Sequence, residues 1–220
     1  MAASGYSAAV VTQAPPSPSA VWGWLPWVLF FALSRVGLPA AGVIAGLLVA
    51  LYPTVTRALR DLSVKLPDWM TLAFFAIATL SVLVDGSALL FFWKYSLVVL
   101  WVLFAGMAWA SILLGAPFTL QYARETTPPE FWQHPVFVRT SLVLTLVWAG
   151  VFTLNLAIAG AAVGPISPPW FALLLPTLAV AGAFVFTARY AAAVSRRAAA
   201  AIPQATDVHK NSATLMQRAP

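Results

Sequence analysis

Residues 139–189 read RTSLVLTLVWAGVFTLNLAIAGAAVGPISPPWFALLLPTLAVAGAFVFTAR, and no Lys, Arg, Asp or Glu lies between the two flanking arginines. A spanning helix needs about 20 apolar residues to cross roughly 30 Å of hydrocarbon. The stretch is long enough for two such helices, and Gly164-Pro165-Ile166-Ser167-Pro168-Pro169 breaks it near the middle. Pro and Gly end helices where the backbone returns to water. The stretch therefore reads as two spans joined by a tight turn.

The rest of the chain follows suit. It is 61% hydrophobic and 8% charged, with mean hydropathy +0.88, too little polar surface to coat a soluble domain of 220 residues. The net charge of +6 comes from basic residues scattered over several loops. A nucleic-acid binder would gather them on one face, so nucleic acid is not an expected partner. The lipid bilayer is. Cysteine is absent, which excludes disulfides, thiol catalysis and Cys-ligated metal.

Apolar segments fall near 21–35, 38–55, 69–84, 95–114, 140–163 and 170–189. The fold expected is all-α: a polytopic helical membrane bundle with about six transmembrane helices over 21–190. Residues 1–20 are small, polar and Pro-rich and read as a disordered tail without the basic start of a signal peptide. Residues 191–220 read as a second disordered tail. The first two segments are too long together for one span, so a hairpin through Gly37 and Pro39 is expected rather than one helix kinked at Pro39.

Six spans place the loops near 56–68 and 115–139 and the C-terminal tail on one side. That side carries Arg57, Arg60, Lys65, Arg124, Arg139, Arg189, Arg196, Arg197, Lys210 and Arg218, against Arg35 and Lys94 on the other. By the positive-inside rule both termini are cytoplasmic. Trp22, Trp24, Trp27, Trp69, Trp93, Tyr95 and Trp170 stand at segment ends, where amphipathic rings favour headgroup depth.

Chemistry-bearing residues are few. Leu59, Leu62 and Leu66 share a helical face, so the stretch 55–67 is expected to lie along the headgroups with Arg57, Arg60 and Lys65 turned away. Residues 115–125 should form an interfacial helix, and Thr126–Glu130 a turn. Glu125, Glu130 and His134 are the sole candidate acid/base group on that side; their loop setting points to a solvated surface. No metal-ligand spacing, nucleophile motif or phosphate-binding loop is present, so neither enzymatic activity nor a cofactor is expected. Arg35 and Lys94 read as cations snorkelling at the opposite interface, with Asp85 within reach of Lys94. Asn155, mid-span, should find an interhelical hydrogen bond. Ala40, Gly42, Ala45 and Gly46 offer a small-residue face. No intramembrane acid is available to relay protons, which argues against an ion-coupled pump.

Four local patterns carry a family likeness. Leu25-Pro26-Trp27-Val28-Leu29-Phe30-Phe31-Ala32 is followed by the cation Arg35, and Trp93-Lys94 heads the fourth segment. Gly115-Ala116-Pro117 follows that segment, and Arg139 precedes Asn155-Leu156. Together they resemble the bacterial intracellular septation protein A family, with Tyr95 where the family has Pro and Ala116 where it has Lys. The likeness covers about 20–190; the N-terminus and 121–135 depart from it. It implies a non-enzymatic inner-membrane protein of cell-envelope maintenance or division, with membrane-protein partners or a second copy of itself. Arg35, Lys94, Arg139 and Asn155 are then the candidate functional or interhelical residues. A small transporter or channel subunit is the alternative, and a membrane-embedded enzyme the third reading. A pore requires polar residues converging on a cavity, whereas a scaffold requires a filled, apolar bundle.

Overall fold

The computed structural model describes residues 23–60, 64–164 and 171–200. These are helical, with no strand among them: α1 Leu25–Arg35, α2 Pro39–Leu59, α3 Leu66–Val84, α4 Ala88–Leu113, the short α5 Thr119–Ala123, α6 Pro135–Ala162 and α7 Phe171–Ala200. One 3-10 turn, Pro129–Phe131, precedes α6. Among the described residues, five helices are long and apolar enough to cross a membrane. The chain is a multi-pass helical membrane protein.

Proline and glycine punctuate the helices as their backbones require. Pro26, Pro39, Pro67 and Pro135 sit in first turns, where the missing N–H would have had no partner. Gly37 and Gly115 end α1 and α4 at φ 82° and 69°, a region that other residues enter at a cost. At each, the next residue's N–H reaches back to the helix: Leu38 to the Leu33 carbonyl and Ala116 to that of Ser111, both at 2.9 Å. Those are Schellman turns. The first makes α1 and α2 a hairpin of two helices, not one kinked helix.

That first helix differs from a span. At 1.5 Å per residue its 11 residues run about 16 Å, roughly half the hydrocarbon thickness. It begins inside the bundle: Trp24 stacks on Phe104 at 5.1 Å, well within α4. Trp27 is 2% exposed and packs on Phe74 and Phe75. The expected headgroup setting for Trp24 and Trp27 is therefore corrected. Both rings find more contact in an aromatic core than at the interface. Trp69, 53% exposed in the first turn of α3, faces outward, while Trp22 and Trp170 lie outside the described residues.

Consecutive helices pack in chain order, with α4 lying against α6 and α7 against α6 on the outside. The core joins Trp27, Phe30, Phe75, Trp101, Phe104, Trp148 and Phe152. Helix α2 reaches it through glycine: a side chain on Gly46 would collide with the Phe75 ring, and Gly42 lies against the Phe30 backbone. Helix α7 continues to Ala200, through the first ten residues of the tail expected to be disordered from 191. Alanine favours the helix there, and about 45 Å of length carries Arg196 and Arg197 beyond the hydrocarbon. Residues 1–20 and 201–220 lie outside the described residues.

Candidate functional site

The chain leaving α4 is folded back against the bundle and fastened at every turn. Ser111 Oγ accepts the Phe118 N–H at 3.2 Å, which tucks the Phe118 ring under Phe152. Thr119 Oγ1 donates to the Ser141 carbonyl at 2.7 Å and lies 2.8 Å from Thr145 Oγ1, tying α5 to α6. Gln121 Oε1 accepts the Leu66 N–H at 2.7 Å and so caps the start of α3, where that donor has no partner within the helix. Trp132 Nε1 donates to the Thr127 carbonyl at 2.8 Å, and Arg124 lies over the Trp132 ring at 5.0 Å. Residues 115–134 thus form a cap over one end of the bundle.

Its centre is ionic. Glu125 accepts from Arg57 Nη2 at 2.6 Å and from Lys65 Nζ at 2.8 Å, one carboxylate oxygen for each. Lys65 is 2% exposed and its ammonium lies 3.9 Å from the centroid of the Tyr122 ring. A cation removed from water needs this combination of counter-charge and aromatic face. Burial pulls the Lys65 ammonium below its ordinary pKa, against the opposing pull of Glu125. For Glu125 burial works upward, but the hydrogen bonds from Lys65 and Arg57 outweigh it and hold the carboxyl below its ordinary value. Burial pushes the Tyr122 phenol up.

Two expectations are corrected here. Lys65 does not stand on the outward polar face of a stretch lying along the headgroups, since it is buried under the cap. Glu125 is not a solvated carboxylate, since its side chain keeps only 29% exposure and bridges two cations. The partners lie 60 and 68 residues apart in sequence, so no local spacing announces them. The legible signal was the Gly115-Ala116-Pro117 turn that sends the chain back. Glu130 and His134 are exposed, and His134 Nδ1 accepts the Val136 N–H at 3.3 Å to cap α6. They do not gather with Glu125 into a ligand group. Helix α5 spans five residues, shorter than the interfacial helix expected over 115–125.

The predicted site residues do not converge. Arg35 ends α1 and is exposed, as are Arg139 in the second turn of α6 and Lys94 in α4. The Lys94 ammonium lies 5.3 Å from the Tyr95 ring centroid. Asp85 is not its partner: both carboxylate oxygens of Asp85 accept from Ser87, at 2.9 and 2.6 Å, and these bonds lower the carboxyl's pKa.

Asn155 is fully buried in α6, yet neither its amide nitrogen nor its oxygen has a hydrogen-bond partner. The interhelical amide bond expected of it is not formed. Tryptophan and threonine supply that connection instead. Trp27 donates to Thr71 across α1–α3 at 3.2 Å, Trp109 to Thr153 across α4–α6 at 3.0 Å, and Trp148 to Thr187 across α6–α7 at 3.1 Å. The residue types were visible, but which Thr faces which Trp depends on helix register.

No protein-family model matches this chain, and no curated protein or solved structure is similar to it.

Proposed function

We propose that this protein is a non-enzymatic, multi-pass component of the bacterial inner membrane with both termini cytoplasmic. In this reading it serves cell-envelope maintenance or division as a structural or docking element. One observation carries the scaffold reading: the middle of the bundle is filled. Trp24, Trp27, Phe75, Trp101, Phe104 and Phe152 meet there ring against ring, and the cap built on Lys65, Glu125 and Arg57 lies over the cationic end. Arg57, Lys65 and Glu125 are spent on that ionic knot. Glu125 already accepts from two cations, which leaves it a poor general base.

The likeness to the intracellular septation protein A family supplies the process, and the excess of basic residues at the capped end supplies the orientation. The test is reconstitution beside capture. Purified protein in phospholipid vesicles should pass neither ions nor small solutes. Chemical crosslinking in native membranes, followed by purification in mild detergent, should recover other membrane proteins of the envelope or division machinery. Solute flux that disappears with Asn155→Leu would replace this reading with the transporter.

A further inference from the structure

The outward face of α3 carries Trp69, Ala73 and Ile77 one turn apart, a small residue between two large ones. Trp69 and Ile77 are 53% and 60% exposed. Ala73 leaves a notch there, and α3 and α4 make the sparsest contact of any consecutive pair of long helices. The result is a cleft of about 350 Å³, floored by Phe74 and walled by Phe92 and Val99 of α4. Phe74 and Phe92 meet edge to face at 5.8 Å. The lining is almost wholly apolar, and the cleft opens sideways at the depth of the spanning helices.

We propose that this cleft binds one acyl chain of a membrane phospholipid. An unfilled notch forfeits the dispersion contacts of its lining, and in a bilayer hydrocarbon is the matter at hand to restore them. Its size selects the occupant. A cleft of about 350 Å³, open on one side, takes a segment of one fatty-acyl tail. A partner helix is about 10–12 Å across and does not enter. A second copy would need on the order of 800 Å² per subunit for a stable contact, far more than the cleft presents. Trp69 sets the direction. It stands at the cationic end, where an indole N–H at headgroup depth donates to the ester carbonyls of a lipid whose tail lies along α3. The proposal is independent of the scaffold reading: a transporter with this cleft would hold the same lipid.

The test uses the full chain in vesicles of phosphatidylethanolamine and phosphatidylglycerol. A photoreactive benzophenone residue replaces Ile77 at the rim of the cleft, or Leu178 on the outward face of α7 as a control. After exhaustive washing in detergent and irradiation, intact mass should show one phospholipid added at position 77 and none at 178. Equal labelling at both positions, or none at 77, overturns the site in favour of bulk lipid. A covalent protein dimer at 77 overturns it in favour of a second copy. Ala73→Phe fills the notch from an exposed position. In native mass spectrometry it should retain one lipid fewer than the parent chain at an unchanged or higher melting temperature. Retention equal to the parent's refutes the proposal, and if this variant fails to fold the crosslinking result decides.

Discussion

At Lys65 a full positive charge is held out of water by one carboxylate and one aromatic ring. Removing one member of such a pair leaves the other uncompensated, which costs several kcal/mol when both are buried and under about 1 when both are exposed. Glu125 is in between, so Glu125→Gln should destabilise the protein by about 1–3 kcal/mol, read as a lower melting temperature in detergent. Adding Lys65→Met should recover much of that loss, because the stranded charge goes with it; a further drop would contradict the account. Glu125's own contribution to the pH dependence has a definite sign, opposite to that of Asp68, whose carboxyl burial pushes up. Glu125 is held below its ordinary 4.5, so its contribution is complete above that value and is lost as pH falls through the lower folded value. Glu125→Gln should flatten this acid limb. Asn155 makes the opposite case. Its unpartnered amide carries a desolvation penalty of about 1–3 kcal/mol, so Asn155→Leu should raise the melting temperature. A fall would mean that the amide is bonded in the membrane after all.

Among the helices, α7 is the least secured. Only 11% of its spanning window is buried, and α6 is the neighbour it packs against. The Trp148–Thr187 bond and the edge-to-face contact of Trp148 with Phe184 at 4.9 Å are therefore a large share of its attachment. Trp148→Phe keeps the ring but deletes the donor, a loss of about 0.6–2 kcal/mol within a membrane. The chain has no cysteine, so a single cysteine placed at Ala183, 3% exposed on α7, reports the local opening directly. Its maleimide labelling should quicken in the Trp148→Phe background, while a cysteine at Ala78 in the α3 core should label as slowly as before. The α2–α3 crossing is the rigid counterpart. Gly46→Leu drives a side chain into the Phe75 ring and should cost more than Gly160→Leu, where the surroundings are open.

For the whole molecule the ionic knot has a topological consequence. Arg57 and Lys65 flank the α2–α3 connection and Glu125 follows α4, so both connections lie at one end of the bundle. The end of α7 with Arg196 and Arg197 follows by counting spans. A fluorescent reporter fused after the C-terminus should therefore glow as a cytoplasmic one does, and a periplasm-dependent enzyme there should be silent. The same enzyme inserted after Asp85 should be active. The reverse pattern would invert the orientation. Because α1 spans only half the thickness, the N-terminus is tested separately: a reporter fused there should also read as cytoplasmic, and a periplasmic reading would overturn that half of the proposed topology.

Hydrophobic length by itself determines most of the architecture. Five of the six apolar segments are long helices because an uncharged run of that length has no other stable form in a bilayer. The turns at Gly37 and Gly115 are equally legible in the sequence, since glycine's freedom at positive φ is a local property. What the sequence leaves open is everything that depends on two distant segments meeting. Whether Trp27 faces lipid headgroups or Phe74, whether Lys65 points outward or goes under Tyr122, and whether Asn155 finds a partner are questions of helix register and rotation. Those are decided by the joint packing of the bundle, and a one-dimensional pattern of apolar and basic residues carries no record of it. The cleft beside Ala73 is the plainest instance. A single alanine in an apolar helix is inconspicuous in sequence, and only the large neighbours and the loosely packed α4 make it a hollow.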